Sequence, residues 1–77
     1  MKIRLLTPVS NEEHEADAVF LPGAAGSFEV LKGHAPLIST LAPGTVRWRG
    51  ADGEHSLPVS SGVVRVLDDE IMICMEQ

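Results

Sequence analysis

Seventy-seven residues fit one domain, and a domain of this size buries only about 60% of the surface its unfolded chain exposes. That leaves no spare core from which to build an enclosed active site. Hydrophobic residues make up 44%, a globular value, and the net charge of −5 with His neutral excludes the basic stripe that phosphates or anionic lipids require.

The chain then reads as short apolar runs punctuated by seven Gly and five Pro, the pattern of strands and turns. Ile3-Arg4-Leu5-Leu6 predicts a first strand that stops before Pro8. The same opening stretch is too short for a signal peptide or a membrane span. The chain is therefore expected to be soluble and untargeted, reaching a membrane only through a partner. Residues 14–21 alternate and predict one strand, with Ala16, Ala18 and Phe20 on one face and Asp17, Val19 and Leu21 on the other. Pro22-Gly23 ends it. Residues 27–31 predict a third strand with Phe28 and Val30 together, and residues 36–41 a short apolar one closed by Pro43-Gly44.

Residues 45–49 show strict period two, setting Val46 and Trp48 against Thr45, Arg47 and Arg49. Ala51-Asp52-Gly53 predicts a hairpin turn, since Asp-Gly tolerates the positive φ of tight turns. Residues 55–59 return from it. Residues 62–67 are rich in Val, Asp68-Asp69-Glu70 forms the next turn, and residues 71–75 make the last strand. No window carries an apolar stripe of helical period. The expected architecture is all-β, two packed antiparallel sheets or a small barrel, in one domain spanning residues 1–77.

Candidate chemistry is sparse. The one cysteine, Cys74, cannot form an internal disulfide, which favours a reducing compartment. It lies in the run Ile71-Met72-Ile73-Cys74-Met75 and reads as a small buried hydrophobe, not a nucleophile. His14, His34 and His55 show no metal-ligand spacing, so neither metal nor cofactor is expected. No serine sits in a G-x-S-x-G elbow. Gly23-Ala24-Ala25-Gly26 lacks the Lys-Ser or Lys-Thr of a phosphate cradle and reads as a loop whose bare backbone lets another surface approach. In Gly33-His34-Ala35-Pro36-Leu37, Gly33 permits an unusual backbone angle and Pro36 holds Ala35 extended. His34 lies between these constraints and is expected to bond a nearby carbonyl and shape the turn, with direct partner contact as its other role.

Residues 21–41 read L-P-G-A-A-G-S-F-E-V-L-K-G-H-A-P-L-I-S-T-L, and this stretch resembles the ε subunit of F-type ATP synthases, whose pattern here is L-P-G-x-x-G-x-F-G-V-L-P-G-H-A-P-L-L-T-x-L. Pro43-Gly44-Thr45-Val46-Arg47 follows in register. Val59-Ser60-Ser61-Gly62-Val63-Val64-Arg65-Val66 is similar to the family's V-S-G-G-F-V-E-V. The resemblance covers nearly the whole chain. It implies a sandwich of two five-stranded sheets, about ten short strands, acting as a non-catalytic rotor subunit. Its implied partners are the γ subunit and the polar loops of the c-ring, which together couple proton flow to ATP synthesis at the cytoplasmic face of a bacterial inner membrane.

The resemblance makes Gly26, Ser27, Phe28 and Glu29 candidates for the c-ring end, and Gly33, His34, Ala35, Pro36 and Leu37 candidates for a γ and c-ring interface nearby. Ser27 stands where the family often has an acidic residue, with Glu29 able to supply charge beside it. Lys32 replaces the usual Pro. The family's helical hairpin, which carries inhibition of hydrolysis and in some members nucleotide binding, has no counterpart before Gln77, so neither activity is expected of these residues. The alternative reading, a free-standing ligand-binding sandwich, would want an exposed aromatic platform; Phe20, Phe28 and Trp48 fall instead on positions that read mostly as core.

Overall fold

In a computed structural model, residues 1–76 of the chain are described. They form nine strands: β1 (Lys2–Thr7), β2 (Ser10–Glu15), β3 (Ala18–Leu21), β4 (Phe28–Leu31), β5 (Leu37–Leu41), β6 (Gly44–Gly50), β7 (Gly53–Val59), β8 (Ser61–Leu67) and β9 (Glu70–Glu76). Five make one sheet in the order β2-β1-β9-β8-β5, and four make the other, β4-β3-β6-β7. The sandwich expected from the sequence is present, with nine strands among the described residues. All neighbours are antiparallel except β1 and β9, which run parallel with Ile3 opposite Ile71 and Leu5 opposite Ile73. That pairing joins the two ends of the chain in the middle of the larger sheet.

The two sheets face each other through a dry core. Ile3, Leu5, Val64, Val66, Ile71, Ile73 and Met75 project inward from the larger sheet, and Val19, Leu21, Val30, Val46, Trp48 and Val59 from the smaller. No polar or charged residue is buried among the described residues, although the buried Trp48 indole N–H is left without a hydrogen-bond partner. Each fully buried aliphatic side chain contributes about 1.5–3 kcal/mol relative to leaving it in water. The inward positions recur every second residue, as the pleat requires.

The predicted strand over residues 14–21 is corrected in two ways. The strand β2 begins at Ser10, in an all-polar run that carries no apolar signal, and ends at Glu15; β3 starts at Ala18. Between them the chain crosses from one sheet to the other. Ala16 N–H donates to the Met1 carbonyl at 2.9 Å and Asp17 N–H to the Arg49 carbonyl at 2.7 Å, one bond to each sheet. The crossover resets the alternation, so Val19 and Leu21 are buried while Phe20 turns outward. Ala16, expected to share a face with Phe20, is buried in the core cluster instead.

The β8–β9 turn holds Asp68 and Asp69 at φ of 51° and 62°, left-handed values that Asp tolerates and that match the twist of a tight hairpin.

Candidate functional site

The registers sort the loops onto two ends of the sandwich. Thr7 opposite Ser10, Leu41 opposite Gly62, Ser61 opposite Glu76 and the bridge between Gly23 and Leu41 gather the Pro8-Val9 turn, residues 22–27, residues 42–43 and Ser60 at one end. Those connections contain no charged residue. The opposite end collects Asp17, Lys32, Asp52, Asp68 and Asp69, and is acidic.

Gly26, Ser27, Phe28 and Glu29 lie at the end with uncharged connections, Glu29 bringing a charge from the start of β4. Gly26 closes a turn by donating its N–H to the Gly23 carbonyl at 3.0 Å. A Cβ on Gly23 would lie 2.6 Å from the Gly26 carbonyl oxygen, so the turn requires glycine there. Ser27 and Glu29 are exposed and line one shallow groove of about 540 Å³ with Phe20, Pro43, Thr45 and Arg47. The Arg47 guanidinium sits 4.9 Å from the Phe20 ring centroid, a cation–π contact. Phe28 is half-buried and packs on the core opposite Leu21, so it anchors β4 to the sandwich.

The second candidate group lies at the far end of β4, roughly 10 Å away by strand rise. Gly33 takes φ +83°, which explains a glycine at that position. The His34 backbone N–H donates to the Leu31 carbonyl at 3.1 Å, and its ring Nδ1 bonds the Ala35 carbonyl at 2.8 Å. The imidazole is thus held to the turn it shapes, as the sequence suggested. Ala35 and Pro36 are exposed, while Leu37 is half-buried against the core. The structure does not bring the two groups into one site.

The outer faces of the two sheets differ. On the four-stranded sheet, cross-strand rows run Glu29-Phe20-Arg47-Ser56 and Leu31-Ala18-Arg49-Glu54. Arg47 and Glu54 approach to 3.5 Å. On the five-stranded sheet, one row runs Ile38-Arg65-Met72-Arg4-Glu13 and the next Thr40-Val63-Cys74-Leu6-Asn11. Ile38 is 73% exposed there, and Val63 and Leu67 are exposed beside it. Cys74, read from the sequence as buried, is exposed on this face. The uninterrupted apolar run hides the alternation, in which Ile71, Ile73 and Met75 turn in while Met72 and Cys74 turn out. This face therefore mixes exposed apolar side chains with Arg4, Arg65 and Glu13, which makes it a candidate interaction surface.

Sequence reasoning also missed a ring cluster at the edge where β2 overlies β7. The Trp48 indole lies 5.0 Å from the His14 ring and 5.6 Å from the His55 ring, centroid to centroid. Glu12 and Asp52 approach the two Nε2 atoms at 3.3 and 3.2 Å. Only the inward parity of Trp48 was legible; pairing of His14 with Ile3 and of His55 with Trp48 had to be seen. Among the described residues no cluster of three or more His, Cys, Asp or Glu is arranged to hold a metal ion. No helix of the described residues is long and apolar enough to cross a membrane.

The family model described as "ATP synthase, Delta/Epsilon chain, beta-sandwich domain" matches residues 1–77. ATP synthase epsilon chain 2 of Syntrophotalea carbinolica is 34% identical over 77 residues, which is 99% of this chain and 56% of that protein. The ATP synthase epsilon chain of Bordetella parapertussis is 43% identical over 60 residues, covering 77% of this chain and 43% of its own length. The chain thus spans about half the length of these relatives. In fold it is similar to a chain of the Euglena gracilis mitochondrial ATP synthase (OSCP/F1/c-ring), with a TM-score of 0.89 at 22% identity over 97% of this chain and 49% of that one. A chain in the central stalk/c-ring structure of the Tetrahymena thermophila mitochondrial ATP synthase gives 0.84 at 16% identity, over 100% of this chain and 63% of the other.

Proposed function

The chain belongs to the ATP synthase delta/epsilon β-sandwich family, and from that premise we propose that it is a non-catalytic central-stalk subunit of a proton-translocating ATP synthase. In this reading it binds the γ subunit and the polar loops of the c-ring and turns with them, coupling ion flow to ATP synthesis. It sits at the cytoplasmic face of a bacterial inner membrane, held there by the complex.

The observation that carries the reading is the outer face of the five-stranded sheet, where Leu6, Ile38, Val63, Met72 and Cys74 form neighbouring positions. A lone small domain gains nothing from such a face, whereas a clamp on γ does. The end with uncharged connections, with Ser27 and the charged Glu29 on its groove, is the candidate for the c-ring loops. The turn around His34, at the other end of the sandwich, is the candidate for a separate γ contact. A two-sheet core of interdigitated aliphatics suits a part that must pass torque without shearing.

The test is binding of the purified chain to the γ subunit of the same organism, by calorimetry or co-elution. A one-to-one complex is expected. A folded β spectrum with no complex, in the presence and absence of the c-ring, would overturn the reading. Within it, Pro36→Gly and His34→Ala should weaken assembly more than Ser27→Ala, because both loosen a turn that Ser27 does not support; equal affinities for the three would remove that ranking.

A further inference from the structure

The middle row of the apolar face contains two cations in different circumstances. Arg4 reaches across to β2, where its NH2 group lies 2.9 Å from Glu13 Oε1. Arg65, on β8, stands between Ile38 on one side and Met72 on the other, the directly paired residues of β5 and β9. Its neighbours along the same face of β8 are Val63 and Leu67. Arg65 takes part in none of the ion pairs found among the described residues. Glu70, one pair along on β9 opposite Leu67, is not bridged to it either.

A free cation ringed by four apolar side chains is stable while water covers it. When a partner closes over Ile38, Val63 and Met72, that water leaves, and an uncompensated guanidinium becomes strongly unfavourable. A carboxylate on the partner relieves this, since guanidinium meets carboxylate in a two-pronged, charge-assisted geometry. We propose that the surface docking on this face is an apolar stripe carrying one carboxylate, that Arg65 receives that carboxylate, and that Arg65 thereby sets which partner the face accepts. This rests on the reading of the face as the γ-docking surface. Arg65 stands where the family pattern quoted above has Glu, so a partner matched to the acidic version would instead bring like charge, or none, to this chain.

The test titrates the γ subunit of the same organism into the wild-type chain and into Arg65→Met, Arg65→Glu and Ile38→Asp variants, by calorimetry at low and high salt. All three substitutions are on exposed positions, and melting temperatures check that each variant folds. Arg65→Met is expected to lose about 30-fold in affinity or more and most of its salt dependence. Arg65→Glu should lose more, and reversing one acidic residue of γ to Arg should restore it. If Arg65→Met binds like wild type while Ile38→Asp does not bind, the face docks γ but the carboxylate is wrong. If Ile38→Asp binds like wild type, the docking face is wrong and the inference falls with it. Failure of the wild-type chain itself to bind overturns the function proposed above.

Discussion

The outer faces of the two sheets begin from the same constraint and end differently. Both sheets bury every second residue against the common core, and nothing in that packing dictates what the intervening residues should be. The four-stranded sheet fills them mostly with Glu29, Arg47, Arg49, Glu54 and Ser56, with Phe20, Ala18 and Leu31 between them, a mixed face with an exposed ion pair. The five-stranded sheet sets Leu6, Ile38, Val63, Leu67 and Met72 among Arg4, Arg65, Thr40, Asn11 and Glu13, so that apolar side chains water disfavours surround the cations.

The comparison can be pressed first within β9, where inward and outward residues alternate. Ile73→Ala removes a fully buried side chain and should cost about 3 kcal/mol of stability. Met72→Ala, next to it and facing out, should cost less than about 1 kcal/mol. Denaturant unfolding of the two variants separates them, and equal losses would mean that the outward face is already covered in the isolated chain. Next in size is the contrast between faces. Ile38→Asp should weaken γ binding by about 2 kcal/mol or more at unchanged melting temperature, while Ser56→Asp on the other face should leave binding unaltered. Equal effects would erase the distinction between the two faces.

A smaller effect is expected at the β4–β5 turn. Gly33→Ala forces φ near +83° on a residue with a Cβ and should destabilise the chain by about 1 kcal/mol, readable as a lowered midpoint in the same denaturation experiment. Smallest of all should be Arg47→Ala. It removes a cation–π contact to Phe20 and a 3.5 Å pair with Glu54, both solvent-exposed, together worth under about 1 kcal/mol.

Much of this arrangement could be read from the residues alone. Val46 and Trp48 alternate cleanly between polar neighbours and are buried as that period requires. The Asp52-Gly53 and Asp68-Asp69 turns follow from the chemistry of positive φ. Three features escaped because their signals are not local. The β2 strand is polar throughout and exists because β1 pairs with it. The crossover at Ala16 and Asp17 shifts the alternation by a single step, which a continuous pattern over residues 14–21 conceals. The face assignment of Cys74 depends on which neighbours of an apolar run point inward, and a strand apolar on both sides cannot declare that by itself. For the candidate site, both loop groups were identified from their unusual residues, but their separation to opposite ends of β4 follows only from the pairing of Leu21 with Phe28 and Ala18 with Leu31. The outer apolar face, assembled from β1, β5, β8 and β9, is spread too widely along the chain to show as a motif.

The exposed Cys74 thiol lies on that face between its cross-strand neighbours Leu6 and Val63, and the chain has no other cysteine. The most direct measurement is the rate at which a small thiol reagent modifies Cys74 in the free chain and in its complex with a cysteine-free γ subunit. Strong protection on complex formation is the predicted result. A stable one-to-one complex in which Cys74 reacts as fast as in the free chain would contradict the account, because γ would then be held by some other surface.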